Sequence, residues 1–111
     1  MRGSKSAEIR AVRPGWNVFR DGCPGGEAPE DVLARALRVV ERQRTVKGTT
    51  AVFSSGHFLR VLAASWLGLD ARAGSLWTLD TASLSALGYE HDGAEPVIRF
   101  WNDTAHLTPI A

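Results

Sequence analysis

The segment Thr49-Thr50-Ala51-Val52-Phe53-Ser54-Ser55-Gly56-His57-Phe58 carries small hydroxyl residues and a histidine where an apolar run gives way to a helical pattern. A strand that enters a helix through Ser-Ser-Gly leaves backbone N–H groups unpaired at the helix start, where the helix dipole is also positive. Such a turn is an anion site, most often for phosphate. Ser55, Gly56 and His57 are therefore the first candidate pocket residues. Ser55 suits two roles that use the same geometry: hydrogen-bond donor to a phosphate oxygen, and helix cap. His57 stands two residues further along, a rotation of about 200° around a helix axis, so its side chain cannot take the space of a side chain at position 55.

Glu27 is the fourth candidate. It ends the loop Asp21-Gly22-Cys23-Pro24-Gly25-Gly26-Glu27, which packs three glycines and a proline into seven residues and so follows a specific backbone path. A carboxylate there either borders a pocket or interacts favourably with the N-terminus of the next helix. Arg20 and Arg60 have the charge to face a phosphate, but arginines this near a helix are more often solvated or ion-paired. His91 falls in a turn and His106 in the tail, and with His57 they show no metal-ligand spacing, so no metal site is expected. Cys23 has no evident activating base and reads as a structural loop residue.

The elements that must position these residues follow from periodicity. Residues 4–12 suit a short helical turn, stopped by Pro14-Gly15. A helix starting near Pro29, with Glu30 and Asp31 in its first turn, carries the apolar stripe Val32, Leu33, Ala36, Leu37, Val39 and Val40. Arg42, Arg44 and Lys47 suit its C-terminal end, and Gly48 ends it. A buried parallel strand is expected over roughly 49–53. The second helix, about 57–67, is apolar on most sides and should be well buried. Ser83 to Glu90 and Val97 to Trp101 read as strands joined by a turn through Asp92-Gly93. Trp16, Trp66, Trp77 and Trp101 read as packing residues. Helix, strand, helix and hairpin together suggest an α/β sandwich with few strands.

Composition excludes several classes. With 44% hydrophobic and 23% charged residues and a net charge of +1, the 111-residue chain is neither disordered nor a basic nucleic-acid binder. No apolar run approaches the ~20 residues of a membrane span. Met1-Arg2-Gly3-Ser4-Lys5-Ser6 has no apolar run behind it, and the single cysteine cannot form an internal disulfide. A cytoplasmic location without membrane attachment is the expectation.

Three stretches taken in order, Trp16 to Glu27, Phe53-Ser54-Ser55-Gly56-His57-Phe58-Leu59-Arg60, and Thr81-Ala82-Ser83 through Trp101-Asn102, resemble signatures of the histidine phosphatase superfamily, the phosphoglycerate mutase-like proteins. The resemblance implies a fold of the α/β class, a three-layer-type α/β sandwich with a mixed, mostly parallel sheet, of which this chain is a fragment forming one truncated domain over residues 1–111. It implies phosphoryl transfer through a phosphohistidine, with no metal and no bound cofactor, on a phosphorylated small molecule. It also implies what is changed. The family's Arg-His-Gly motif does not occur in this sequence, and its general-acid glutamate would fall before Met1. The position of the second catalytic histidine is Ser55, and the position at His57 lines the site without taking the phosphoryl group.

No residue is therefore assigned as catalytic, and Ser55, Gly56, His57 and Glu27 are assigned to a phosphate or substrate pocket. Three readings follow: a working phosphatase, a non-catalytic remnant that binds anions or another chain, or one half of a split enzyme. Loss of the nucleophile strand would expose sheet edges, which invites a homo-oligomer or a complementing chain.

Overall fold

In the computed structural model, residues 17–21 and 26–107 are described. The expected helical turn at 4–12, Trp16 and Cys23 lie outside these residues. A short helix α1 (Val18–Asp21) is followed by α2 (Pro29–Arg44) and α3 (Gly56–Trp66). A 3-10 turn (Ala71–Leu76) leads to strands β1 (Leu84–Glu90) and β2 (Glu95–Asp103), and a second 3-10 turn spans Ala105–Leu107.

α2 starts where the sequence puts Pro at the first helical position, and the Asp31 carboxylate accepts the Ala28 N–H at 3.1 Å, closing one open donor of the first turn. Its buried stripe is Val32, Ala36 and Val40, spaced by four, with Leu33 and Val39 packed at the sides. Leu37, expected in that stripe, is 44% exposed, because it stands one position around the helix from Ala36. The helix ends at Thr45, and Gly48 reverses the chain at φ +93°.

α3 is the centre of the core. Phe58, Val61, Leu62, Ala63 and Ala64 are all buried, and the two alanines let neighbouring elements approach closely. α2 packs across it, Phe19 of α1 and Ala71 of the 3-10 turn close the cluster, and Leu87 of β1 touches its edge. Gly68 at φ +76° ends the helix, with Leu69 N–H bonded to the Ala64 carbonyl at 2.8 Å.

The strand expected over 49–53 does not form. Residues 49–54 take no regular structure, and Phe53 is 92% exposed rather than buried. A parallel strand exists only through hydrogen bonds to neighbours, and no strand lies alongside this segment among the described residues. The chain is α/β in class, but the sheet described is a two-stranded antiparallel hairpin, in place of the mostly parallel sheet that the resemblance implied.

The hairpin itself is as expected, with Leu87 opposite Ile98 and Tyr89 opposite Pro96. Its turn places His91, Asp92 and Gly93 all at positive φ, which His and Asp tolerate better than most residues. His91 Nδ1 also lies 3.0 Å from a Glu95 carboxylate oxygen, and both side chains are exposed. Tryptophans tie together the hairpin, α3 and the segment between them. Trp66 Nε1 donates to the Gly88 carbonyl at 2.9 Å and its ring lies 4.9 Å from Tyr89. Trp77 Nε1 donates to the Arg60 carbonyl, and Trp101 Nε1 to the Thr78 carbonyl. The end of β2 is tied down by Asn102, which bonds Asp80, and by His106, whose Nε2 lies 2.8 Å from the Ala82 carbonyl. His106 is thus engaged in a contact that ties the tail to the start of the hairpin.

Candidate functional site

Ser55 stands just before α3 with extended backbone, φ −73° and ψ 154°, and its Oγ accepts the Phe58 N–H at 3.2 Å. This is a helix N-cap. The hydroxyl oxygen is committed to the helix, while its O–H remains a donor. Gly56 opens the helix, with nothing within 4 Å of where a Cβ would stand. His57 follows on the first turn, its ring centroid 4.9 Å from that of Phe19 and its Nδ1 buried.

These residues border an open cleft of about 380 Å³ lined by Ser54, Ser55, His57 and Phe58 on the α3 side and by Gly26, Glu27, Val32 and Arg35 on the α2 side, with Val18 at the end. The structure therefore brings three of the four expected pocket residues, Glu27, Ser55 and His57, onto one cleft. Gly56 lies between two of them without lining it.

Glu27 is fixed by Arg35. Nε of Arg35 donates to one carboxylate oxygen at 3.2 Å and Nη2 to the other at 2.8 Å. Arg35 lies two turns into α2, and helical side chains lean toward the N-terminus, which brings its guanidinium back to Glu27. Its central carbon also lies 4.7 Å from the Phe58 ring centroid, so it spans the gap between α2 and α3. Sequence reasoning missed Arg35. The one signal available was an arginine at helical distance behind the loop glutamate, and charged residues are common on any exposed helix face.

The other two candidate cations sit elsewhere. Arg60 donates from Nε to the Gly74 carbonyl at 2.9 Å and stacks 4.3 Å from the Phe19 ring centroid. Burial pushes its pKa below the usual guanidinium value, because the charged form loses solvent. It is a packing residue. Arg20 borders a second cleft of about 310 Å³ together with Glu30, Asp70 and Arg72. There the Arg72 backbone N–H, then its side chain, hold the Asp70 carboxylate below the usual range. Among the described residues no cluster of three or more His, Cys, Asp or Glu has the placement of a metal site, and no helix is long and apolar enough to cross a membrane.

The model of the histidine phosphatase superfamily, branch 1, matches residues 1–104. The chain belongs to that family. An acid phosphatase of Mycobacterium tuberculosis is 32% identical over 98% of this chain and 54% of its own length. A sedoheptulose 1,7-bisphosphatase of Saccharomyces cerevisiae is 38% identical over 61% of this chain and 28% of its own. The solved structure of the Rv3214 open reading frame product of Mycobacterium tuberculosis superposes with a TM-score of 0.79 at 30% identity, covering 88% of this chain and 51% of that one. The chain thus spans about half the length of the acid phosphatase and of the solved structure it matches.

Proposed function

We propose that this chain provides the phosphate-cradling half of a histidine phosphatase site and does not itself transfer a phosphoryl group. The observation that carries the reading is Ser55. It stands where the family resemblance implies the second catalytic histidine, and it caps α3 instead. A serine can donate a hydrogen bond to a phosphate oxygen, but it cannot bring the imidazolium charge that steadies a phosphoryl group in transfer. Charge-assisted contacts are roughly twice as strong as neutral ones, so the loss in the transition state is large. The absence of Arg-His-Gly from the sequence points the same way. The names of the two relatives, an acid phosphatase and a sugar bisphosphatase, favour a phosphomonoester or inorganic phosphate as the anion.

Hydrolysis of p-nitrophenyl phosphate by the purified chain is expected not to exceed a boiled control. Ser55→His alone should not restore it, since the nucleophile would still be absent. Turnover that His57→Ala abolishes would overturn the proposal.

A second reading is favoured by the exposed run from Val52 to Phe53 beside the cleft. On it, the rest of a longer polypeptide, a complementing chain or a second copy covers this edge and completes the site. A sharp, monomeric melt independent of concentration would count against it.

A further inference from the structure

The Arg35 guanidinium is held on two sides. Glu27 takes Nε–H and one Nη2–H, and the Phe58 ring lies beneath the central carbon. A guanidinium carries five N–H donors in one plane. Glu27 uses two on one edge, so the edge formed by Nη1 and Nη2 has no protein partner among the described residues. A carboxylate on one edge and a ring below fix the plane of that fork before any ligand arrives. Its geometry matches two oxygens of a tetrahedral oxyanion, which a lysine cannot reproduce. Among the described residues, Arg35 is also the one guanidinium lining the cleft that holds Ser55 and His57.

We infer that Arg35 is the side chain that grips the anion in this cleft, and that Glu27 is its positioning residue. The ligand class is a phosphoryl group or another tetrahedral oxyanion, met by the Arg35 fork from α2 and by the first-turn amides of α3. The inference rests on the anion-cradling reading above. The Glu27 carboxylate, itself held bidentately by Arg35, offsets part of the positive charge an incoming anion meets, and its contribution is to fix the plane of the fork.

The test is titration of inorganic phosphate into the isotope-labelled full chain, followed by NMR. In the wild type, the Arg35 Nε–Hε signal and the amides of residues 56–58 should shift together and saturate. Arg35→Met keeps an apolar stem over Phe58 and removes the fork, and should weaken phosphate binding at least tenfold. Arg35→Lys keeps the charge and should weaken it several-fold. Arg38→Met removes the same charge from an exposed site on the same helix and should stay within twofold of wild type.

Wild-type affinity in Arg35→Met, with the 56–58 amides still shifting, would overturn the inference and leave the anion-cradling reading standing. Equal losses in Arg35→Met and Arg38→Met would reduce the effect to net charge and overturn it too. Should Arg35→Met fail to fold, wild-type affinity in Arg35→Lys would overturn it. No phosphate-dependent shift in the wild type would overturn both readings.

Discussion

Along the α2–α3 contact, Ala36, Ala63 and Ala64 have no exposed surface and Val61 keeps only 1%. A few residues before α3, in the run that feeds it, Val52 is 42% exposed and Phe53 92%. Both regions are apolar, yet one is closed and the other open. The difference is in what each faces. A helix satisfies its own backbone and needs only an apolar stripe opposite, which α2 supplies. An extended segment needs a hydrogen-bonding neighbour on its edge before burial is favourable. The cleft lies where these regions meet, so its α2–α3 wall is backed by the core while the chain entering Ser55 is not enclosed.

The largest expected break in this contrast is Val61→Asp. A carboxylate placed at a site that is 1% exposed has no partner within the core, and an uncompensated buried charge costs about 3–5 kcal/mol. Thermal unfolding followed by circular dichroism should show loss of the cooperative transition. A folded variant with a near-wild-type midpoint would mean that the α2–α3 contact is looser than its burial indicates.

Gly74→Ala probes the same closed side more gently. A Cβ there would stand 2.8 and 2.9 Å from two carbons of the Phe19 ring and 3.3 Å from the Arg60 carbonyl carbon. Overpacking of this kind costs about 1–3 kcal/mol. Because Arg60 stacks on Phe19 and bonds the Gly74 carbonyl, the melting midpoint should fall and the Arg60 Nε–Hε signal should move. Ser55→Ala is smaller again. It removes the oxygen that accepts the Phe58 N–H, and loss of such a cap costs about 1 kcal/mol. Amide exchange should quicken in the first turn of α3 and stay unchanged at Ala63 and Ala64.

How much of this was legible in the sequence divides along the same line. α2 and α3 were readable because their signals are local: Pro29 with its first-turn acids, apolar spacing of three and four, and small residues before Gly56. The hairpin was readable from Asp92-Gly93. Three of the four pocket residues proposed from the sequence share the cleft because the Ser-Ser-Gly turn and the loop glutamate both lie at helix starts. What was not legible depends on distant partners. The strand expected over 49–53 was read from its apolar residues, but no residue in that run states whether a neighbour will pair with it. Arg35 was invisible because its role comes from Glu27 and Phe58, which only the packing of α2 on α3 brings to it. Ala82 at φ +61° was invisible as well; its carbonyl meets His106 of the tail, a partner 24 positions away in the sequence.

The smallest expected effect on stability is that of Phe53→Ser, and it sharpens the comparison most. With 92% of its surface exposed, Phe53 contributes almost nothing to the core of the isolated chain. A surface substitution of this kind changes stability by about 0.5 kcal/mol or less. The dilute melting midpoint should therefore barely move, in contrast to the loss at Val61, although both residues are apolar and only eight positions apart. Association should respond differently. An exposed aromatic beside an unpaired extended segment is the kind of surface that draws another chain onto it. Sedimentation velocity at rising concentration should then show less self-association in Phe53→Ser than in the wild type, if a second copy is what covers this edge. A large drop in the dilute melting midpoint would instead mean that residues 49–54 pack within the isolated chain, and the contrast between the two regions would fall.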